Sequence, residues 1–176
     1  MDVAARVATT DDVGVAAGLL REAAAVLASE RGGELFTGRE LLGPPFEGQL
    51  AALLGDQSAL VAIGTVEGVA MGLGLARLEE LRGGGCVARF EFLWIEPGVR
   101  SVGLGDEIAR LVESWAIARG AAGIDAYALP GNREAKSFLE SSGYVARLIV
   151  MHRPLLASEP APAGRQPAPH RDRGSS

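Results

Sequence analysis

The chain has 176 residues, 48% of them apolar, and a formal charge of -5. This length and composition fit one globular domain with a core of its own, and the acidic balance argues against a nucleic-acid partner, whose phosphates call for a surplus of Lys and Arg. The longest uncharged apolar run, Val13 to Leu20, is far short of the roughly 18 to 20 residues of a bilayer span, so no membrane partner is expected.

Met1 to Asp12 lacks the basic and apolar blocks of an export signal, and Cys86 is the single cysteine. Both point to a reducing, cytoplasmic setting. Asp2 to Ala8 alternates loosely, as an edge strand does. Thr9 or Thr10 with Asp11 and Asp12 forms a helix start. Val13, Ala16, Ala17, Leu20, Ala24 and Leu27 then recur at helical spacing until Gly32 and Gly33 stop the run. Glu34 to Pro45 has no clear pattern. Pro44 or Pro45 opens a short second helix with Phe46, Leu50, Leu53 and Leu54 on one face, closed by Gly55.

Leu60 to Gly64 and Val69 to Leu78 flank Glu67-Gly68, the pattern of a hairpin turning through a glycine. Arg82 to Gly85 reads as a loop and Cys86 to Ile95 as a strand. Period-two counting puts Val87, Arg89, Glu91, Leu93 and Ile95 on one face of that strand. Leu104, Ile108, Leu111, Val112 and Trp115 give the next helix its core stripe, with Gly120 as its cap. Ile124 to Leu129 is a further strand. Asn132 caps a helix carrying Ala135, Phe138 and Leu139, which Gly143 ends. Tyr144 to His152 is expected to be the last strand. From Ala157 to Ser176 the chain is rich in Pro, Ala, Ser and Arg with no apolar face, so residues 1–156 are expected to form the domain and 157–176 a disordered tail.

Arg100-Ser101-Val102-Gly103-Leu104-Gly105 stands between a strand and a helix. Two glycines at a helix mouth let the backbone approach a ligand closely. The first-turn N–H groups and the positive end of the helix dipole there suit a phosphate or pyrophosphate. A dinucleotide fingerprint would continue with a third glycine where Ile108 stands, and a P-loop would need Gly-Lys-Ser or Gly-Lys-Thr. Neither is present.

The order of elements and three segments together resemble the GNAT superfamily of acyl-CoA-dependent N-acyltransferases over about Ala4 to Arg153. The segments are Glu91 to Pro97, Arg100 to Gly105, and Asn132 to Phe138 with Gly143-Tyr144. The resemblance implies an α/β fold with a mixed sheet of about six to seven strands, a splay between the fourth and fifth, and about four flanking helices. It implies acetyl-CoA as co-substrate, no metal, and an amine acceptor that is a small molecule or a protein.

By the same resemblance, backbone N–H groups from Val102, Gly103, Leu104, Gly105 and Asp106 hold the coenzyme pyrophosphate, and Arg100 and Ser101 open that loop. The pantetheine arm pairs with Leu93, Trp94 and Ile95. A strand N–H at Trp94 or Ile95 meets the oxyanion. Asn132 contacts the pantetheine or thioester, caps its helix, or does both. Glu91, nine residues before Arg100, matches a catalytic glutamate, with an ion pair to Arg89 as the competing reading; Glu96 is the second choice.

The resemblance implies direct attack of a neutral amine on the thioester. An alkylammonium of pKa roughly 10.4 facing a carboxylate of about 4.3 leaves a gap of about 8 kcal/mol, which burial or a water relay must narrow. Two departures from the pattern stand out. Leu139 occupies the place where relatives carry a tyrosine acid, which leaves Tyr144 or Tyr127 as substitutes. The stretch between Gly143 and Met151 is short, so the acceptor side is open, or a partner subunit of a homodimer completes it. A coenzyme-binding sensor or scaffold without turnover is the alternative reading.

Overall fold

The computed structural model describes residues 1–153 and Leu155. They divide into two units, Met1–Tyr144 and a second that begins at Val145. Among the described residues, the first unit holds every helix and strand. Five strands form one mixed sheet in chain order: β1 (Val3–Val7), β2 (Ala59–Val66), β3 (Val69–Glu80), β4 (Cys86–Ile95) and β5 (Ala121–Ala126). Neighbours are antiparallel up to β4, and β4 pairs with β5 in parallel. The helices are α1 (Val13–Ala28), α2 (Gly33–Arg39), α3 (Phe46–Gly55), α4 (Leu104–Ala118) and α5 (Arg133–Ser141). None is long and apolar enough to cross a membrane.

Local chemistry accounts for several boundaries. The Thr9 N–H donates to Asp12 Oδ2 at 2.7 Å in a capping box before α1, and Arg6 grips both oxygens of the same carboxylate at 2.7 Å. That pair holds the Asp12 carboxyl well below the usual range and pins β1 to the start of α1. Glu67 and Gly68 both take positive φ, 49° and 77°, as a two-residue hairpin turn requires.

The sheet is covered on both faces. Leu20, Leu50, Ile63, Leu73, Leu75, Phe92 and Trp94 form one core with α1 and α3. Leu60, Ala62, Phe90, Leu104, Ile108 and Val112 form the other, under α4. Glycine brings α4 close: a Cβ on Gly74 would lie 2.5 Å from Ile108 Cγ2, and one on Gly64 2.8 Å from Leu104 Cδ1. The absence of side chains on the sheet therefore sets where the N-terminus of α4 sits.

The expected single-faced row of β4 is not what forms. Phe92 pairs with Leu75 and Phe90 with Ala76, so Glu91 has no opposite residue and is a β-bulge. The bulge reverses the alternation: Phe90 packs under α4, whereas Phe92 and Trp94 pack under α1. Leu93 and Ile95 consequently share the α4 face, away from Arg89 and Glu91.

The last strand is also absent among the described residues, which reduces the sheet to five strands. A strand needs a ladder as well as β-forming side chains, and residues 144–153 join none. Val145, Leu148, Ile149, Val150 and Met151 stay 75 to 87% exposed. Strand β5 starts and stops earlier than expected, because Gly120 turns tightly out of α4 at φ 74° and Ala121 already pairs with Cys86. Gly32, at φ 83°, restarts the chain into α2, a helix that the pattern does not announce. The proposed tail, 157–176, lies outside the described residues.

Candidate coenzyme and acceptor site

The β4–β5 ladder ends at Phe90 and Ala126, while β4 runs on to Ile95. Beyond that point the two strands part, and a cleft of about 380 Å³ opens between them. Its walls are Phe90 to Ile95 on one side and Ala126 to Leu129 on the other, with Asn132, Phe138 and Leu139 from α5 and its approach.

Ladder geometry tells which backbone groups face this cleft. The Glu96 N–H donates to Met71 O at 2.9 Å, and antiparallel strands alternate bonded and non-bonded pairs. Trp94, opposite Leu73, therefore directs its backbone groups to β3, while Leu93 and Ile95 turn theirs toward the parted edge. Of Trp94 and Ile95, only Ile95 turns its N–H to the parted edge.

At one end of the cleft a 3₁₀ segment, Pro97–Val102, leads into Gly103, whose φ of 87° reverses the chain into α4. The first bond of α4 runs from Glu107 N–H to Gly103 O. The N–H groups of Leu104, Gly105 and Asp106 therefore precede the helical ladder, at the positive end of its dipole. Gly105 lies beneath Phe138, whose ring would be 3.3 Å from any Cβ there. Arg100, Ser101, Gly103, Gly105 and Asp106 line this end. Leu104 is fully buried in the α4 core and Val102 packs against it, so these two offer only backbone.

Arg100 is held on three sides. Its Nε donates to Ile95 O at 3.2 Å, its guanidinium donates to Glu134 at 2.8 Å, and it stacks over the Trp94 ring at 5.3 Å. Among the described residues no cluster of His, Cys, Asp and Glu is placed to hold a metal ion.

Toward the other end lies Glu91. Its Oε2 accepts from Arg77 Nε at 3.2 Å, not from Arg89, which pairs with Glu79 and lies 5.8 Å from the Tyr127 ring centre. The bulge is the reason, because it offsets Glu91 from the strict row shared with Arg89. Burial pushes the Glu91 carboxyl above its ordinary value, against the opposing pull of Arg77 and Arg89. Glu91 also lines a second hollow, together with Arg39, Glu40, Gln49, Arg77 and Arg89. It thus stands where the cleft meets another opening.

Asn132 is the expected helix cap and also borders the cleft. Its Oδ1 accepts from Ala135 N–H at 2.8 Å as a helix cap, and its side chain lines the cleft. Tyr144 does not line the cleft; burial first, then Glu113, pushes its hydroxyl up. Tyr127 lines the wall, as does Leu139. Glu96 sits at the end of β4 and outside the cleft wall, and His152 is exposed. Leu27, Glu30 and Phe36, from α1, its exit and α2, also line the cleft. Nothing in their sequence marks them, since only tertiary packing brings them there.

No family model and no curated protein sequence matches the chain. Solved structures do. A mutant protein from Bacillus halodurans aligns with a TM-score of 0.74 at 20% identity, over 89% of this chain and all of that one. AAC(6')-Iy, in complex with the bisubstrate analogue CoA-S-monomethyl-acetylneamine, aligns at 0.69 and 15% identity over 89% and 100%. A ribosomal-protein-alanine N-acetyltransferase from Brucella melitensis biovar Abortus 2308 aligns at 0.67 and 15% over 88% and 100%. The chain has the GNAT fold.

Proposed function

We propose that this chain is an acetyl-CoA-dependent N-acetyltransferase that acts on a primary amine in a ternary complex, in the reducing cytoplasm, where Cys86 stays a thiol. The observation that carries the reading is the parting of β4 from β5 after Phe90 and Ala126, with the α4 N-terminus at one end of the opening and Glu91 toward the other.

In this reading the coenzyme pyrophosphate sits on the N–H groups of Leu104, Gly105 and Asp106 beside Arg100 and Ser101. Pantetheine follows as an added strand along Leu93 and Ile95. The thioester then lies near Glu91 and Tyr127, and bound reactants gain the rate advantage of proximity. Glu91, with its raised pKa, takes a proton from the acceptor ammonium directly or through a water. The freed nitrogen attacks the thioester carbon, and the Ile95 N–H steadies the oxyanion. The C–S bond then breaks, the thiolate leaves, and the second proton that the nitrogen sheds on becoming an amide passes to the thiolate or to water. A thiol of pKa about 8.5 departs near neutrality without a strong acid, which suits the presence of Leu139 where an acid would stand.

The same Leu139 supports a second reading, an acyl-CoA sensor that binds without turnover. Free-thiol release from acetyl-CoA across a panel of amines separates the two. Amine-dependent release supports the transferase; coenzyme binding with no release on any amine supports the sensor.

A further inference from the structure

The cleft holds one carboxylate that the transfer chemistry leaves unused. Glu30 follows the last turn of α1, its N–H donating to Leu27 O at 2.9 Å, and it lines the same cleft as Glu91 and Asn132. Its Oε1 lies 3.5 Å from the Asn132 amide nitrogen. Its Oε2 is buried without a hydrogen-bond partner. A buried acceptor left without a donor carries a desolvation cost that a ligand donor relieves. The helix end sharpens the demand, because the carbonyl terminus of α1 is partially negative and favours a cation beside it.

The other carboxylates of the cleft are accounted for. Glu91 is paired with Arg77, and Glu134 with Arg100, while Asp106 stands in the first turn of α4, at the positive end of the helix dipole. Besides Asn132, the cleft that Glu30 lines carries apolar side chains from Leu27, Phe36, Phe92 and Leu129. One uncompensated carboxylate among apolar walls matches one positive charge on an apolar stem. It does not match a polycation, which would need several.

We propose that Glu30 receives the ammonium group of the acceptor and that the acceptor is a monoamine on an apolar stem. The proposal rests on the amine-transferase reading above. A monoamine has a single nitrogen, so the ammonium that Oε2 receives is the one that Glu91 deprotonates; Glu30 sets amine affinity before that proton is removed.

Calorimetric titration of hexylammonium into the protein saturated with coenzyme A tests it, with binding of coenzyme A alone and melting curves measured alongside. Glu30→Gln should weaken hexylammonium binding tenfold or more and leave coenzyme affinity within twofold. Glu30→Asp, which keeps the charge on a shorter arm, should lose less. Kanamycin should bind no tighter than hexylammonium. Equal amine affinity in wild type and both variants overturns the proposal, as does no amine binding by wild type. A loss confined to coenzyme affinity also overturns it, by assigning Oε2 to a pantetheine N–H. Glu30-dependent amine binding without thiol release would support this role for Glu30 while removing the transferase reading.

Discussion

Glu91 Oε2 and Arg77 Nε face each other at 3.2 Å across β3 and β4, at the one residue of β4 that has no partner opposite it. The pair couples the bulge to the cleft. Burial raises the carboxyl and Arg77 lowers it, so the arginine limits how basic Glu91 becomes. Arg77→Met removes the opposing charge and should raise the Glu91 pKa further. Ionisation then requires a higher pH, so the acid limb of the kcat/KM profile moves upward. A pH-rate profile checks this, and a limb that stays in place removes Glu91 as the titrating base. Glu91→Gln should lower the rate at neutral pH while coenzyme affinity changes little.

Arg100 donates to Glu134 beside the α4 N-terminus, where the proposed function puts the coenzyme pyrophosphate. Losing a charge-assisted hydrogen bond costs on the order of 1.5 to 3 kcal/mol when the site is desolvated, so Arg100→Ala should weaken coenzyme A by roughly tenfold or more. Glu134→Gln should do the reverse by a few-fold, because an exposed acidic competitor is removed from the guanidinium. Titration calorimetry of coenzyme A at low and high salt measures both.

Gly74→Ala places a Cβ 2.5 Å from Ile108 Cγ2. Overpacking of this kind costs about 1 to 3 kcal/mol. Because the contact sets the height of α4 over the sheet, coenzyme affinity should fall together with the denaturation midpoint. Urea unfolding and coenzyme titration on the same variant test the coupling.

The Asp12 carboxyl is depressed by its hydrogen bonds from Arg6. A folded pKa below the unfolded value of about 3.9 contributes stability that is present above that pH and is lost as pH falls toward the folded value. Asp12→Ala should therefore cost about 1 to 2 kcal/mol at neutral pH through the lost cap and pair. The gap between wild type and variant should narrow progressively below about pH 4. Thermal melts across that range read it.

The turn into α4 was legible in the sequence because glycine has a conformational meaning: Gly103 does take φ 87°. The hairpin at Glu67-Gly68 was legible for the same reason. The parting of β4 and β5 came through the resemblance, and the end of the ladder at Phe90 gives it a position. Periodicity could not reveal the bulge at Glu91, since one extra residue leaves the apolar pattern nearly intact while moving Phe92 and Trp94 to the other core. Nor could it reveal Glu30, which reaches the cleft only because α1 ends against the approach to α5. The final strand shows the converse limit, since Val145 to Met151 have β-forming side chains but no ladder.

Binding of coenzyme A in the opening between β4 and β5 is tested most directly by a crystal structure of the protein soaked with or grown in coenzyme A. The pyrophosphate is expected on the N–H groups of Leu104, Gly105 and Asp106, with pantetheine paired with Leu93 and Ile95. Coenzyme bound elsewhere, or a cleft that stays free of it at millimolar concentration, would overturn this assignment.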